Sequence, residues 1–203
     1  ELECQCILLD SEDHLYVTDE FIVNHNTMLG VQWAVDQLKL GRCDRIIVTR
    51  PAVSVDEAHG FLPGTLIDKM MPWTVGIFDV FYDNWSKSEV DYMLENFIIE
   101  ISPLAYMRGR TFHDACIIAD EVQLCTDNQM KMLLTRIGSN SKMLLTGDLN
   151  QADRGDKNGL KSFIDIYNKA KPEESRITMV RFTRDDIERH PVVSEVLKYY
   201  GEE

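Results

Sequence analysis

Two successive carboxylates, Asp120-Glu121, stand directly after the apolar run Ala115-Cys116-Ile117-Ile118-Ala119. The run reads as a buried strand, and open α/β sheets bind ligands beyond the carboxyl ends of their strands. There the first acid can hold Mg²⁺ through its water shell, because hard cations prefer oxygen ligands. The second can orient an attacking water for phosphoryl transfer. Taken alone the pattern is generic, since buried strands commonly end in polar turn residues. The stretch Leu144-Leu145-Thr146-Gly147-Asp148-Leu149-Asn150-Gln151 repeats the design, and the repetition makes coincidence a weaker explanation. Thr146 can hydrogen-bond a phosphate or the attacking water, and Gln151 can reach a γ-phosphate. Gly147 and Asp148 also suit a plain turn.

The elements that must carry these groups follow from periodicity. Residues 3–9 alternate and end in a β-rich run, so they read as a strand. Leu15–Val17 and Phe21–Val23 read as two further short strands, giving a small β unit with too little surface to fold alone. From Thr27 the period changes. Leu29, Val31, Trp33, Ala34, Val35 and Leu38 suit a mostly buried helix closed by Gly41. Arg45–Thr49 is a buried strand ended by Arg50-Pro51. Residues 56–71 predict a turn and then a helix ending at Met70-Met71-Pro72, with helices over 74–85 and 87–96. Phe97–Ile101 and Lys142–Thr146 predict strands, and Asn128–Ile137 a helix whose Met130, Leu133, Leu134 and Ile137 are core. Leu160–Ala170 is a helix, Ile177–Phe182 a strand, and Asp185–Tyr199 a helix interrupted by Pro191. Strands alternating with helices argue a mainly parallel α/β sheet.

Composition bounds the function. The 203 residues are 44% hydrophobic and 27% charged, the profile of an ordinary globular chain with one sizeable core. No apolar run approaches the roughly 18–20 residues that cross a bilayer, so no membrane partner is expected. The net charge of −13 argues against clinging to nucleic acid over the whole surface, and leaves a local basic site open. The five cysteines (Cys4, Cys6, Cys43, Cys116 and Cys125) are odd in number and form no CxxC pair. They give neither a disulfide framework nor a zinc signature, and a reducing cytoplasm fits them best. The first residue is Glu1, not Met, and a fragment or processed product is expected.

The stretches IIVTRPAV (46–53), GFLPG (60–64), ISPLAYMRGRTF (101–112), DEVQ (120–123), QMKMLLTRIG (129–138) and SKMLLTGDLNQ (141–151) resemble the PhoH-like family across 27–203. The resemblance implies a RecA-like P-loop NTPase, a three-layer sandwich on a mainly parallel sheet, binding ATP and Mg²⁺. It implies Asp120 and Thr27 at the Mg²⁺ site, Glu121 as the catalytic acid, Gln151 as the γ-phosphate sensor and Thr146 as a nucleotide contact. Thr49-Arg50-Pro51 resembles a helicase motif that touches a nucleic-acid backbone, RNA or DNA. Arg108 and Arg110 lie in a family block and are candidate phosphate contacts, although exposed arginines in ion pairs are common. A ring oligomer, and the cytoplasm of a bacterial cell or phage-infected host, follow from the same resemblance.

One part of that family's equipment is absent from the sequence. No GxxxxGK[ST] loop occurs, and the residues before Thr27 are Val23-Asn24-His25-Asn26, without glycine or lysine. Only the last loop position survives, as Thr27 opening a helix. Residues 1–26 instead resemble the C-terminal end of an intein: apolar strands, His14 in the preceding block, then His25 and a terminal Asn26. That resemblance implies that Asn26 cyclises onto its own carbonyl and cleaves the 26–27 bond. His25 would polarise the carbonyl and His14 assist proton transfer, with Thr27 as the receiving nucleophile. An intein placed between a P-loop lysine and its threonine would leave this pattern. The expected sheet therefore lacks its interior P-loop strand, with Phe21–Val23 available to fill part of the gap. The expected partner is an N-terminal fragment carrying the loop. Three readings follow: an ATPase domain inactive alone, a splicing fragment, and a non-catalytic remnant.

Overall fold

In a computed structural model the apolar runs predicted as buried strands lie side by side. Residues 4–9, 26–51, 66–149, 158–170, 175–182 and Tyr199 are described by the structure. The elements are β1 (Cys4–Leu9), α1 (Asn26–Lys39), β2 (Arg45–Thr49), α2 (Leu66–Asn84), α3 (Lys87–Glu95) and β3 (Ile99–Ile101). They continue with β4 (Ala115–Ala119), α4 (Asp127–Leu134), β5 (Lys142–Asp148), α5 (Gly159–Ala170) and β6 (Ile177–Phe182). The sheet order is β3-β2-β4-β5-β1-β6. Strands β3, β2, β4 and β5 pair in parallel, with Thr49 beside Ala119 and Ala119 beside Leu145.

Alternation along these strands builds two cores. Ile46 and Val48 of β2 and Cys116 and Ile118 of β4 face α1, α2 and α3, where Val31, Val35, Ile77, Phe81 and Val90 are buried. Ile47, Ala115, Ile117, Ala119, Met143 and Leu145 face the other way, onto Met130 and Leu133 of α4 and Leu160 and Ile164 of α5. Strands buried on both faces need apolar residues at successive positions, which is why the runs looked unbroken in the sequence. The result is three layers, helix on sheet on helix. Side chains set the helix starts: Ser86 and Thr126 each close a capping box, with Glu89 and Gln129 respectively.

Several expectations change: the helix predicted over 128–137 ends at Leu134, capped by Thr135, and the strand predicted from Phe97 starts at Ile99. The predicted helix break at Pro72 does not occur, since α2 runs without interruption from Leu66 to Asn84. Proline removes one backbone donor, but a helix held by a buried face can carry that loss. The strand at Lys142 continues two residues further, through Gly147 to Asp148, because β1 pairs with it to the end, Cys4 opposite Asp148. The place between β5 and β6 is filled by Cys4–Leu9, antiparallel to both, and not left as a gap. The predicted strands Leu15–Val17 and Phe21–Val23 and the helix over 185–199 lie outside the described residues, Tyr199 apart. Among the described residues no helix is long and apolar enough to cross a membrane.

Candidate functional site

The carboxyl ends of β2, β4 and β5 and the start of α1 converge on one carboxylate. Asp120 follows the last residue of β4, and its amide donates to the Thr49 carbonyl at 2.9 Å, which extends the β2–β4 pairing by one step. The residue is buried, so its side-chain oxygens need partners. Oδ1 accepts from the Thr27 hydroxyl at 2.8 Å and from the Thr146 hydroxyl at 2.6 Å. Thr27 sits in the first turn of α1. That helix comes close because Gly30, one turn on, lies against β5: a Cβ there would stand 2.5 Å from Leu144 Cδ2.

Glu121 reaches the same place by an unusual backbone. Its φ of 55° and ψ of 38° put it in the left-handed region, which turns the chain sharply after Asp120. Such a conformation costs roughly 1–2 kcal/mol in a residue with a Cβ. Its Oε2 accepts from Gln123 Nε2 at 2.6 Å, while Gln123 Oε1 accepts from the Asp148 amide at 3.2 Å. Gln123 therefore ties Glu121 to the end of β5. Gly147 leaves room for it, since a Cβ at 147 would lie 2.8 Å from Gln123 Oε1. Arg50 spans the two acids, Nη1 3.7 Å from Asp120 Oδ2 and Nη2 3.7 Å from Glu121 Oε1. Thr49 Oγ1 is fully buried with no hydrogen-bond partner among the described residues.

The predicted site residues divide clearly. The side chains of Thr27, Arg50, Asp120, Glu121 and Thr146 come together, and Thr49 joins them through its backbone carbonyl. Arg110 is engaged elsewhere: its guanidinium pairs with both oxygens of Glu100, at 2.5 and 2.9 Å, and lies 4.5 Å from the Phe112 ring centroid. The hydrogen bonds it donates to Glu100 hold its pKa above the ordinary arginine value. Arg108 is exposed. Asn26 is the first residue of α1, and His14, His25 and Gln151 lie outside the described residues. The sequence reading assigned no role to Gln123 or Gly30 and placed Arg50 on nucleic acid, not on the acids. A glutamine two residues past a strand-end glutamate was the available signal for the first.

The donor set around Asp120 is all oxygen, one carboxylate and two hydroxyls, which suits a hard divalent cation. Among the described residues no group of three or more His, Cys, Asp or Glu is placed to hold a metal. A cation here would keep much of its shell as water or phosphate, the habit of Mg²⁺.

A family model described as PhoH-like protein matches residues 25–201. The chain belongs to the PhoH family. A PhoH-like protein of Bacillus subtilis is 42% identical over 177 residues, 87% of this chain and 55% of that protein. One from Mycobacterium tuberculosis is 42% identical over 86% of this chain and 49% of its own length. Protein PhoH of Escherichia coli is 36% identical over 95% of this chain, an alignment that reaches into the residues before 25, and over 54% of its own length. The chain thus spans about half the length of these PhoH relatives.

Proposed function

We propose that residues 27–203 form the body of a Mg²⁺-dependent ATP-hydrolysing domain of the PhoH family. What carries this reading is the meeting of two hydroxyls, Thr27 and Thr146, on Asp120 Oδ1 at the carboxyl edge of a parallel sheet. Asp120 and Thr27 would hold the cation there, and Mg²⁺ when bound supplies charge neutralisation on the phosphates. Glu121, held by Gln123, orients the attacking water. The sequence offers no glycine-rich loop or lysine ahead of Thr27 to cradle a triphosphate. This chain alone is therefore expected to hydrolyse ATP at or near background. Robust turnover by the purified 203-residue chain, lost on Glu121→Gln, would overturn that expectation. Gln151 as γ-phosphate sensor, contacts of Arg50, Arg108 or Arg110 with RNA or DNA, a ring assembly and a cytoplasmic site belong to the same proposal.

A second reading concerns residues 1–26 as an intein tail that splices at Asn26-Thr27. It rests on the residues alone, His14, His25, Asn26 and Thr27, since the family model takes in His25 and Asn26. Because α1 begins at Asn26, the 26–27 bond lies in the first helical turn. Cleavage then requires that turn to open and releases Thr27 from Asp120. Mixed with an N-terminal partner, the chain is expected to yield a product whose C-terminal part starts at Thr27. No mass shift, with Asn26→Ala behaving identically, would count against splicing.

A further inference from the structure

The oxygens of the acid pair are divided between two kinds of partner. Asp120 Oδ1 is committed to the two threonine hydroxyls, and Glu121 Oε2 to the Gln123 amide. The other two, Asp120 Oδ2 and Glu121 Oε1, both face Arg50, one nitrogen of the guanidinium to each at 3.7 Å. The arginine is held for this task. Its neighbour Pro51 is buried and restricts Arg50 to extended backbone, and the Thr49 carbonyl is tied to the Asp120 amide. The Arg50 side chain is 20% exposed and that of Asp120 4%, so water screens the pair poorly.

We propose that Arg50 is a cation-displaceable latch: it neutralises Asp120 and Glu121 while no metal is bound, and a divalent cation must drive it off Asp120 Oδ2 to bind. This rests on the reading of Asp120 as the metal carboxylate. The distances support displacement over coexistence. At 3.7 Å the two contacts to the acids are ion pairs, longer than hydrogen bonds, so the hold on Asp120 Oδ2 is one of charge and yields to a higher charge. A dication on Asp120 would instead stand beside a fixed positive charge that cannot be titrated away. Displacement also hands a freed guanidinium to whatever anion accompanies the metal.

The test is Mn²⁺ binding to the full chain without nucleotide, followed by paramagnetic resonance, in the parent and in Arg50→Ala, Arg50→Gln, Arg50→Lys and Asp120→Asn. The latch predicts that Arg50→Ala and Arg50→Gln tighten Mn²⁺ binding by roughly tenfold, the scale on which a neighbouring charge acts. Arg50→Lys is expected to stay near the parent, and Asp120→Asn to lose the site. The metal-free Arg50→Gln protein is also expected to melt lower than the parent and to recover on adding Mn²⁺. Unchanged or weaker Mn²⁺ binding in both neutral variants overturns the latch, as does no binding in any protein. Binding that survives Asp120→Asn overturns the metal-carboxylate reading itself, which separates the two failures.

Discussion

The Thr27 hydroxyl donates to Asp120 Oδ1 at 2.8 Å, joining the start of α1 to the end of β4 across 93 positions of sequence. Thr146 donates to the same oxygen from β5. One carboxylate oxygen thus holds together a helix start and two strand ends, and the loss of either hydroxyl loosens the others.

Metal binding at Asp120 makes stability depend on Mg²⁺. At about a hundred times its Kd, Mg²⁺ is expected to add about 2.7 kcal/mol to the unfolding free energy of the parent. Asp120→Asn is expected to gain nothing. Urea unfolding at fixed ionic strength, with and without Mg²⁺, checks this.

Gly30 sets how near α1 lies to β5. Gly30→Val places branched carbons where a Cβ already stands 2.5 Å from Leu144 Cδ2, and overpacking of this kind costs about 1–3 kcal/mol. Leu144→Ala in the same chain is expected to recover part of that loss, which a double-mutant cycle in urea measures. Additive effects would place the strain elsewhere.

Gln123 holds Glu121 Oε2 at 2.6 Å from a position 1% exposed. Gln123→Ala is expected to destabilise by about 1–3 kcal/mol through the broken buried bonds. Gln123→Glu sets a second carboxylate against Glu121. The like charges raise the pair's titration, so this variant is expected to gain stability relative to the parent as the pH falls from neutral toward 4–5, where about one proton is taken up. Denaturant midpoints across that range decide it.

Burial pushes the Cys125 thiol up to about 12 from an ordinary value of 9.0. The folded protein keeps the proton where the unfolded chain loses it. Its contribution is present in full below pH 9.0 and is lost as the pH rises toward about 12, at about 1.4 kcal/mol per pH unit. Cys125→Ala is expected to flatten that part of the alkaline stability profile, and Cys125 to resist alkylation until the chain unfolds.

How much of this was legible in the residues depends on the range of the interaction. Arg45–Thr49, Ala115–Ala119 and Lys142–Thr146 announced themselves, because strands buried on both faces must be apolar throughout. Asp120, Glu121 and Thr146 were legible for the same reason, as the polar groups that end those runs. The place of Cys4–Leu9 was not, since strand pairing between β5 and β6 leaves no local mark. Nor was the turn of Arg50 toward the acids, which depends on the register of β2 beside β4 and leaves no mark in the dipeptide Arg50-Pro51. Pro72 misled because local propensity was outweighed by the packing of α2 on the sheet.

The account rests on Asp120 and Glu121 being complete acids in a site that needs a phosphate cradle ahead of Thr27. The most direct measurement is Mg²⁺-dependent phosphate release by a chain in which an apolar strand and a GxxxxGK loop replace the residues before Thr27. The account predicts turnover in that chain, background turnover in the 203-residue chain, and loss of the gained activity on Glu121→Gln. A folded graft with no turnover, or turnover indifferent to Glu121→Gln, would contradict it.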